Sequence, residues 1–463
     1  MTLPSGTVTR AETCSTDTGK RACVPDNSSD AAPSQHMAQA PLVSVIMSNF
    51  NGSRYLEAAV TSVLSQSYRN LELIVADDAS DDDSLTILER LKSGDKRLRV
   101  IARDNNVGPA GARNTALDAA RGTWVAVVDA DDLLHPRRIE RLLAAARALG
   151  ANVIADDLVS FGSAPLAGRT LLDGRHLTGS LQLTPAELVR SDGVTSGLGS
   201  FGYLKPMIHR QTLGSLRYDE TLRVGEDFDL YARLLLADAR FLVIPAPLYL
   251  YRQHGKSISN RLSMPVLLGL LKAHQRLAAD AARLHTNTPD LQQALRARGA
   301  ALDRALRYQR LVDAIKTRKV FDAAGRVLRD PVLIGDLVTS LLDRKRRRRS
   351  ENNMDRRVFP HTIVLAETDM VEQIPASPGA LRIPVTAQDS SKRDWSAHRA
   401  LASRLARLAS VGQSDIIADG AAGLDALGYV PLWKSAHVRL KRENARHAAV
   451  PPGAEVALLV DRN

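Results

Sequence analysis

From Pro41 to Asp132 the chain alternates short apolar runs with amphipathic stretches, and this alternation constrains its fold more than any other feature. VSVIM (43–47), LELIVADD (71–78), LRVIARD (98–104) and WVAVVDADD (124–132) read as strands. Between them RYLEAAVTSVLSQ (54–66), with apolar residues at 56, 59, 60, 63 and 64, reads as a helix. DSLTILERLKS (83–93) and PAGARNTALDAARG (109–122), the latter closed by glycine, read likewise. Strands joined through helices imply βαβ units and a largely parallel sheet, because parallel neighbours need a crossover connection. In such sheets ligands bind beyond the carboxyl ends of the strands.

Those ends are polar. The first finishes at Ser48 and Asn49, the second at Asp77 and Asp78, and the fourth at Asp129, Asp131 and Asp132. Aspartate and asparagine favour turns and helix N-caps, so any one end has an ordinary explanation. Three ends that converge on one rim ask for more. In VAVVDADDLLHP (125–136) a buried-looking strand runs into clustered like charges, whose repulsion near low-dielectric protein calls for a cation. A dinucleotide-binding unit would place a glycine-rich turn after the first strand, but SNFNGS holds one glycine and no GxxxxGKS/T occurs. A phosphate ligand would then need another source of positive charge, and Mg²⁺ or Mn²⁺ on hard carboxylate oxygens supplies it.

The 463 residues have room for two or three domains. Only 4% are aromatic, which argues against single-stranded nucleic-acid binding on aromatic platforms. Cys14 and Cys23 cannot make a disulfide framework or a zinc site alone, which fits a reducing compartment. FLVIPAPLYLY (241–251) and PVLLGLL (265–271) are too short or too broken by proline to span a bilayer. The first residues lack the apolar core of a signal peptide, so a cytoplasmic protein is expected, with residues 1–40 as a disordered leader.

Four stretches in order carry a resemblance: VSVIMSNFNGSRYLEAAVTSVLSQSYRNLELIVADDASDD, NVGPAGARNTALDAARGTWVAVVDADD, GEDFDLYARLL (225–235) and PLYLYRQHGKSIS (247–259). Over about Pro41 to Ser259 the chain resembles the inverting family 2 glycosyltransferases with the GT-A fold. The resemblance implies a mixed, mainly parallel α/β sheet flanked by helices, a UDP-sugar donor, and Mg²⁺ or Mn²⁺. Asn49, Asp77 and Asp78 then correspond to the nucleotide-base site, and Arg113 to a basic residue that holds base or ribose. Asp129 and Asp131 form the DxD motif, where one carboxylate contacts the ribose and Asp131, with or without Asp132, binds the metal. Asp227, preceded by Glu226, corresponds to the catalytic base, with Tyr231 on the same helical face and Asp229 pointing away. Acids also favour helix N-termini for structural reasons alone. Arg252 and His254 are candidates for the diphosphate and the metal, although a lone loop histidine is usually only that. The QxxRW signature of processive members is absent, so one sugar per encounter is expected. Residues 191–210, a glycine-rich segment, correspond to the acceptor side, with Lys205, Met207 and His209 as contacts.

Residues 261–350 read as a basic helical region. Between Arg296 and Ser350, 16 Lys and Arg face 6 Asp, against a net charge of +11 for the whole chain. A basic amphipathic segment there suits an anionic membrane surface, and less well nucleic-acid phosphates. Such docking would put the protein on the inner face of the plasma membrane, near a glycan or lipid-linked acceptor. Residues 351–463 alternate strand-like runs with RALASRLARLAS and suggest a small α/β accessory module. Two other readings remain at this level: a nucleotidyltransferase that makes nucleotide sugars, and a polybasic scaffold whose working end is Arg344–Arg349.

Overall fold

The computed structural model describes residues 40–162, 167–175, 177, 179–192, 199–254, 263–284, 287–340 and 342, and six further elements beyond 361. The expected leader up to residue 39, residues 193–198 of the acceptor segment, 255–259 and Arg344–Arg349 lie outside the described residues.

The chain begins with β1 (Val43–Asn49), α1 (Ser53–Leu64), β2 (Leu71–Asp77), α2 (Ser84–Gly94), β3 (Leu98–Ala102), α3 (Pro109–Asp118) and β4 (Trp124–Val127). There follow β5 (Leu133–Leu134), α4 (Arg138–Leu149), β6 (Val153–Gly162), β7 (Leu181–Gln182), α5 (Pro185–Ser191), β8 (Met207–His209), α6 (Arg210–Leu213), α7 (Glu226–Leu236) and β9 (Phe241–Gln253). The sheet runs β3-β2-β1-β4-β8-β6-β9-β5, with β7 also on β9. Its first four strands are parallel. β8 enters antiparallel between β4 and β6, which makes the sheet mixed. Helices α1, α2 and α3 pack on the parallel half, and β2 is buried along its whole length, apolar apart from Glu72 and the terminal Asp77.

β9 is one continuous strand despite Pro245 and Pro247, because its register against β6 shifts at Asp156, Asp157 and Leu158. Asp157 is fully buried at that irregularity, where its Oδ1 accepts from the amides of Leu158 and Leu172. Burial pushes its carboxyl up to about 7. A folded pKa above the ordinary aspartate value near 4 means stability fully present below about pH 4 and lost as pH rises through the folded value. Asp157 therefore contributes a slope of up to about 1.4 kcal/mol per pH unit across that window. Asp157→Asn is expected to flatten the fall, and denaturation midpoints at several pH values check it; an unchanged slope would count against it.

A helical region follows: α8 (Met264–Arg283), α9 (Pro289–Lys316), α10 (Val320–Arg329) and α11 (332–340). α9 packs on α5 and α8. It buries Leu291, Leu295, Leu302, Leu306 and Leu311, the stripe that its period predicts. Beyond residue 361 lie β10 (Thr362–Glu367), β11 (Leu381–Val385), α12 (Trp395–Ala409), β12 (Asp415–Ala418), β13 (His437–Lys441) and β14 (Glu455–Leu459). These five strands form a second, all-parallel sheet in the order β11-β10-β12-β13-β14. α12 does not serve that sheet alone: it packs on β6 and β9 of the first sheet, where Ala402, Leu405 and Ala406 are buried. Among the described residues no helix is long and apolar enough to cross a membrane.

Candidate functional site

The carboxyl ends of β1, β2 and β4 and the N-terminus of α7 supply the polar groups that the sequence singled out. In the first turn Asn49 Nδ2 donates to Asp77 Oδ2 at 2.7 Å, and Ser80 adds its amide and hydroxyl to the same aspartate at 2.9 and 2.8 Å. A Cβ on Gly52 would stand 2.2 Å from Asn49 Oδ1, so the one glycine of SNFNGS is there for close approach. Asn49 Oδ1 is buried and accepts no hydrogen bond among the described residues. Asp78 accepts from the amides of Val107 and Gly108 at 3.0 and 2.8 Å. It thereby fixes the turn into α3, where Gly108 has φ +89° and Pro109 opens the helix.

α3 delivers Arg113 into a cluster of acids. Its Nη2 donates to Asp129 Oδ1 at 2.7 Å and its Nη1 to Glu226 Oε1 at 2.6 Å, with Asp227 Oδ1 at 3.8 Å. Gly225, at φ +83°, turns the chain into α7, so Glu226 and Asp227 sit at the positive end of a helix dipole. The second cation is Lys205, just before β8, whose Nζ meets Asp129 Oδ2 at 2.8 Å and Asp227 Oδ2 at 2.7 Å. Arg138, fully buried and forked onto Asp156, holds the Lys205 carbonyl. Three carboxylates thus share two cations. Burial pushes Asp129 upward, but Lys205 and Arg113 together hold it well below the usual carboxylate range. Burial wins at Glu226, which is raised despite Arg113. Asp227 Oδ1 is buried and accepts no hydrogen bond among the described residues. Asp229 turns to Arg233 at 2.7 Å, and the Tyr231 hydroxyl donates to the Leu204 carbonyl at 2.7 Å.

β9 organises the DADD loop. The Tyr249 hydroxyl accepts from the Asp129 amide at 3.1 Å and donates to Asp132 Oδ2 at 2.7 Å, while the Arg252 amide donates to Asp132 Oδ1 at 2.6 Å. Burial, then the neighbouring charges of Asp131 and Asp129, push Asp132 well up. The Arg252 guanidinium stacks between Tyr55 and Phe161, 4.5 and 4.4 Å from their centroids, and its Nε donates to the Asp131 carbonyl. Asp131 is the most exposed of the three acids, with its Oδ2 2.8 Å from His254 Nε2.

One oxygen from each of Asp129, Asp131 and Asp132 lies within 4.8 Å of the others, and these donors suit a hard divalent cation. They are not equivalent. Asp129 is engaged by Arg113 and Lys205 and Asp132 by Tyr249 and Arg252, which leaves Asp131 and His254 to face outward. One or two protein ligands, completed by substrate phosphate and water, is how Mg²⁺ is usually held, so the residues fit the group.

The structure brings Asp129, Arg113, Glu226 and Asp227 into one network, and Asp131, Asp132, Arg252 and His254 into an adjoining one. Of the acceptor-side candidates, Met207 is buried and His209 packs edge-on against Trp124 at 5.1 Å. Lys205 belongs instead to the carboxylate network. Tyr249 and Arg138 organise the site from behind; Tyr249 lies within PLYLYRQHGKSIS without standing out there, and Arg138 lies in none of the four stretches.

Residues 44–191 match the family model for glycosyl transferase family 2. The chain is 34% identical over 315 residues to the succinoglycan biosynthesis protein ExoO of Rhizobium meliloti (strain 1021), covering 66% of this chain and 87% of that one. It is 40% identical over 99 residues to the UDP-Glc:alpha-D-GlcNAc-diphosphoundecaprenol beta-1,3-glucosyltransferase WfgD of Escherichia coli, covering 21% of this chain and 38% of that one. S. aureus TarS 1–349 in complex with UDP-GlcNAc is similar over 55% of this chain and 70% of that one, at 19% identity and a TM-score of 0.46. With 34% identity sustained over 87% of ExoO, and the family model matched across β1, β2 and β4, the chain belongs to glycosyltransferase family 2.

Proposed function

We propose that the protein moves a sugar from a UDP-sugar to a hydroxyl of a glycan or lipid-linked acceptor in exopolysaccharide or cell-envelope synthesis, with Mg²⁺ or Mn²⁺ and with inversion. The observation that carries this reading is Asp227: Oδ2 is pinned by Lys205 while Oδ1 is buried without a hydrogen-bond donor among the described residues. A buried acceptor left unsatisfied calls for an explanation, and an incoming hydroxyl proton is one. The names of ExoO and WfgD support polysaccharide assembly, and that of WfgD supports a UDP donor and a lipid-diphosphate acceptor. The single glycine after β1 disfavours a nucleotidyltransferase.

The acceptor hydroxyl oxygen bonds the anomeric carbon from the face opposite the diphosphate while Asp227 Oδ1 takes its proton. The bond from anomeric carbon to diphosphate oxygen breaks, and the nucleoside diphosphate leaves with that electron pair. Lys205 orients Asp227, and Arg113 with Lys205 keeps Asp129 ionised to receive a ribose hydroxyl. Asn49, held by Asp77, offers its Oδ1 as an acceptor to a base N–H at the rim of β1 and β2. Asp131 and His254 would hold the divalent ion, and Asp132 and Arg252 hold the loop that presents them. When bound, that ion supplies positive charge to the departing diphosphate.

A panel of UDP-sugars with Mg²⁺ or Mn²⁺ tests the reading: turnover is expected with an anomer opposite to the donor's, and chelation abolishes it. Asp131→Asn is expected to raise the metal concentration for half-maximal turnover by about tenfold or more, since one of few protein ligands is lost. Full turnover in chelator, or an unchanged metal titration for Asp131→Asn, would contradict the assignment.

A further inference from the structure

Of the eleven exposed large apolar side chains among the described residues, eight fall between Ile315 and Leu342: Ile315, Val320, Phe321, Leu328, Val332, Ile334, Val338 and Leu342. Their concentration is unlike the scattered exposure that any surface shows. α10 is the extreme case, because none of its ten residues is buried. Val320, Phe321, Ala324 and Leu328 fall on one arc of the helix at helical spacing, and Phe321 is 95% exposed. Asp322, Arg326 and Arg329 take the opposite arc, with Lys316, Arg318 and Lys319 just before the helix. One side of α10 rests on α9, and the arc with Val320, Phe321 and Leu328 is left to solvent.

Charge complementarity names the occupant. Half of the basic side chains of α9 are paired within the protein: Arg298 is buried against Asp192, and the half-exposed Arg304 and Arg307 pair with Asp336 and Asp330. From Lys316 to Leu342, in contrast, Lys316, Arg318, Lys319, Arg326 and Arg329 stand interleaved with the exposed apolar residues, and two of the three Asp there, Asp330 and Asp336, are already paired with α9; in the sequence RKRRRR (344–349) follows. Phosphate binding alone would use the cations and leave Phe321 and Leu328 in water. A surface that takes apolar side chains and cations side by side is the interface of a bilayer rich in anionic lipid.

We infer that α10, with Lys316, Arg318, Lys319, Arg326 and Arg329, forms a docking surface for an anionic membrane, with Val320, Phe321 and Leu328 as the inserted wedge. At about 1.5 Å per residue the helix is roughly 15 Å long, so it lies in the interface plane and does not span. The inference is independent of which sugar is transferred.

The test is sedimentation of the full chain with phosphatidylcholine vesicles with and without phosphatidylglycerol. Binding is expected only to the anionic vesicles and to weaken with salt. Phe321→Ser with Leu328→Ser is expected to lower that binding about tenfold or more, with turnover of a soluble acceptor unchanged. Because these side chains touch no core, the variant folds, and reversal of Lys319 and Arg326 to Glu gives an independent second variant. Equal binding to neutral vesicles, or full binding by the double serine variant, overturns the inference. So would a dimer in solution that the serine variant breaks, since the wedge would then belong to a second copy. Binding to a nucleic-acid polyanion that survives the serine variant while vesicle binding never appears would also overturn it.

Discussion

Asp227→Asn is expected to lower kcat by about 10²- to 10⁴-fold, the contribution of a positioned general base. The substitution is close to isosteric, and an asparagine oxygen can still accept from Lys205 Nζ, which lies 2.7 Å from Oδ2. The helix dipole at the start of α7 and the ion pairs of Asp129 and Glu226 remain in place. What disappears is the oxygen that could keep a proton, so the loss falls on the chemical step. Glu226→Gln should cost far less turnover, since Arg113 occupies its carboxylate at 2.6 Å and burial already raises it toward the neutral form.

Arg113→Met is expected to destabilise the fold by about 3–5 kcal/mol, the usual consequence of removing one partner from a buried ion pair. Arg113 is 5% exposed and spans Asp129, Glu226 and Asp227, so its removal leaves three acids with Lys205 alone. Denaturant titration measures the loss. Arg113→Lys should recover part of it, because a point charge cannot reproduce the fork that reaches Asp129 and Glu226 together. A loss below about 1 kcal/mol for Met would mean that the acids are well solvated, against the buried network described.

The parallel half of the sheet is legible because its signals are local: apolar period, turn residues and the acids at the ends of β1, β2 and β4. β8 is not. Three residues carry no period, yet its insertion between β4 and β6 brings Lys205 onto Asp129 and Asp227. The residue expected at the acceptor side thus belongs to the carboxylate network. DADD as text offers three equal aspartates; Tyr249 and Arg252, some 120 positions later, are what bury Asp132 and leave Asp131 facing outward. The stripe of α12 shows in its period, but not which sheet receives it. HVRLK (β13) does alternate polar and apolar residues, a pattern too short at five residues to stand out.

The central claim is that Asp227 serves the chemical step and not donor binding. Calorimetric titration of the productive UDP-sugar with Mg²⁺ or Mn²⁺ into wild type and Asp227→Asn, beside their turnover numbers, tests it most directly. The account predicts an unchanged Kd with kcat lowered at least about 10²-fold. Turnover that persists in Asp227→Asn, or donor affinity that falls in step with it, would contradict the account.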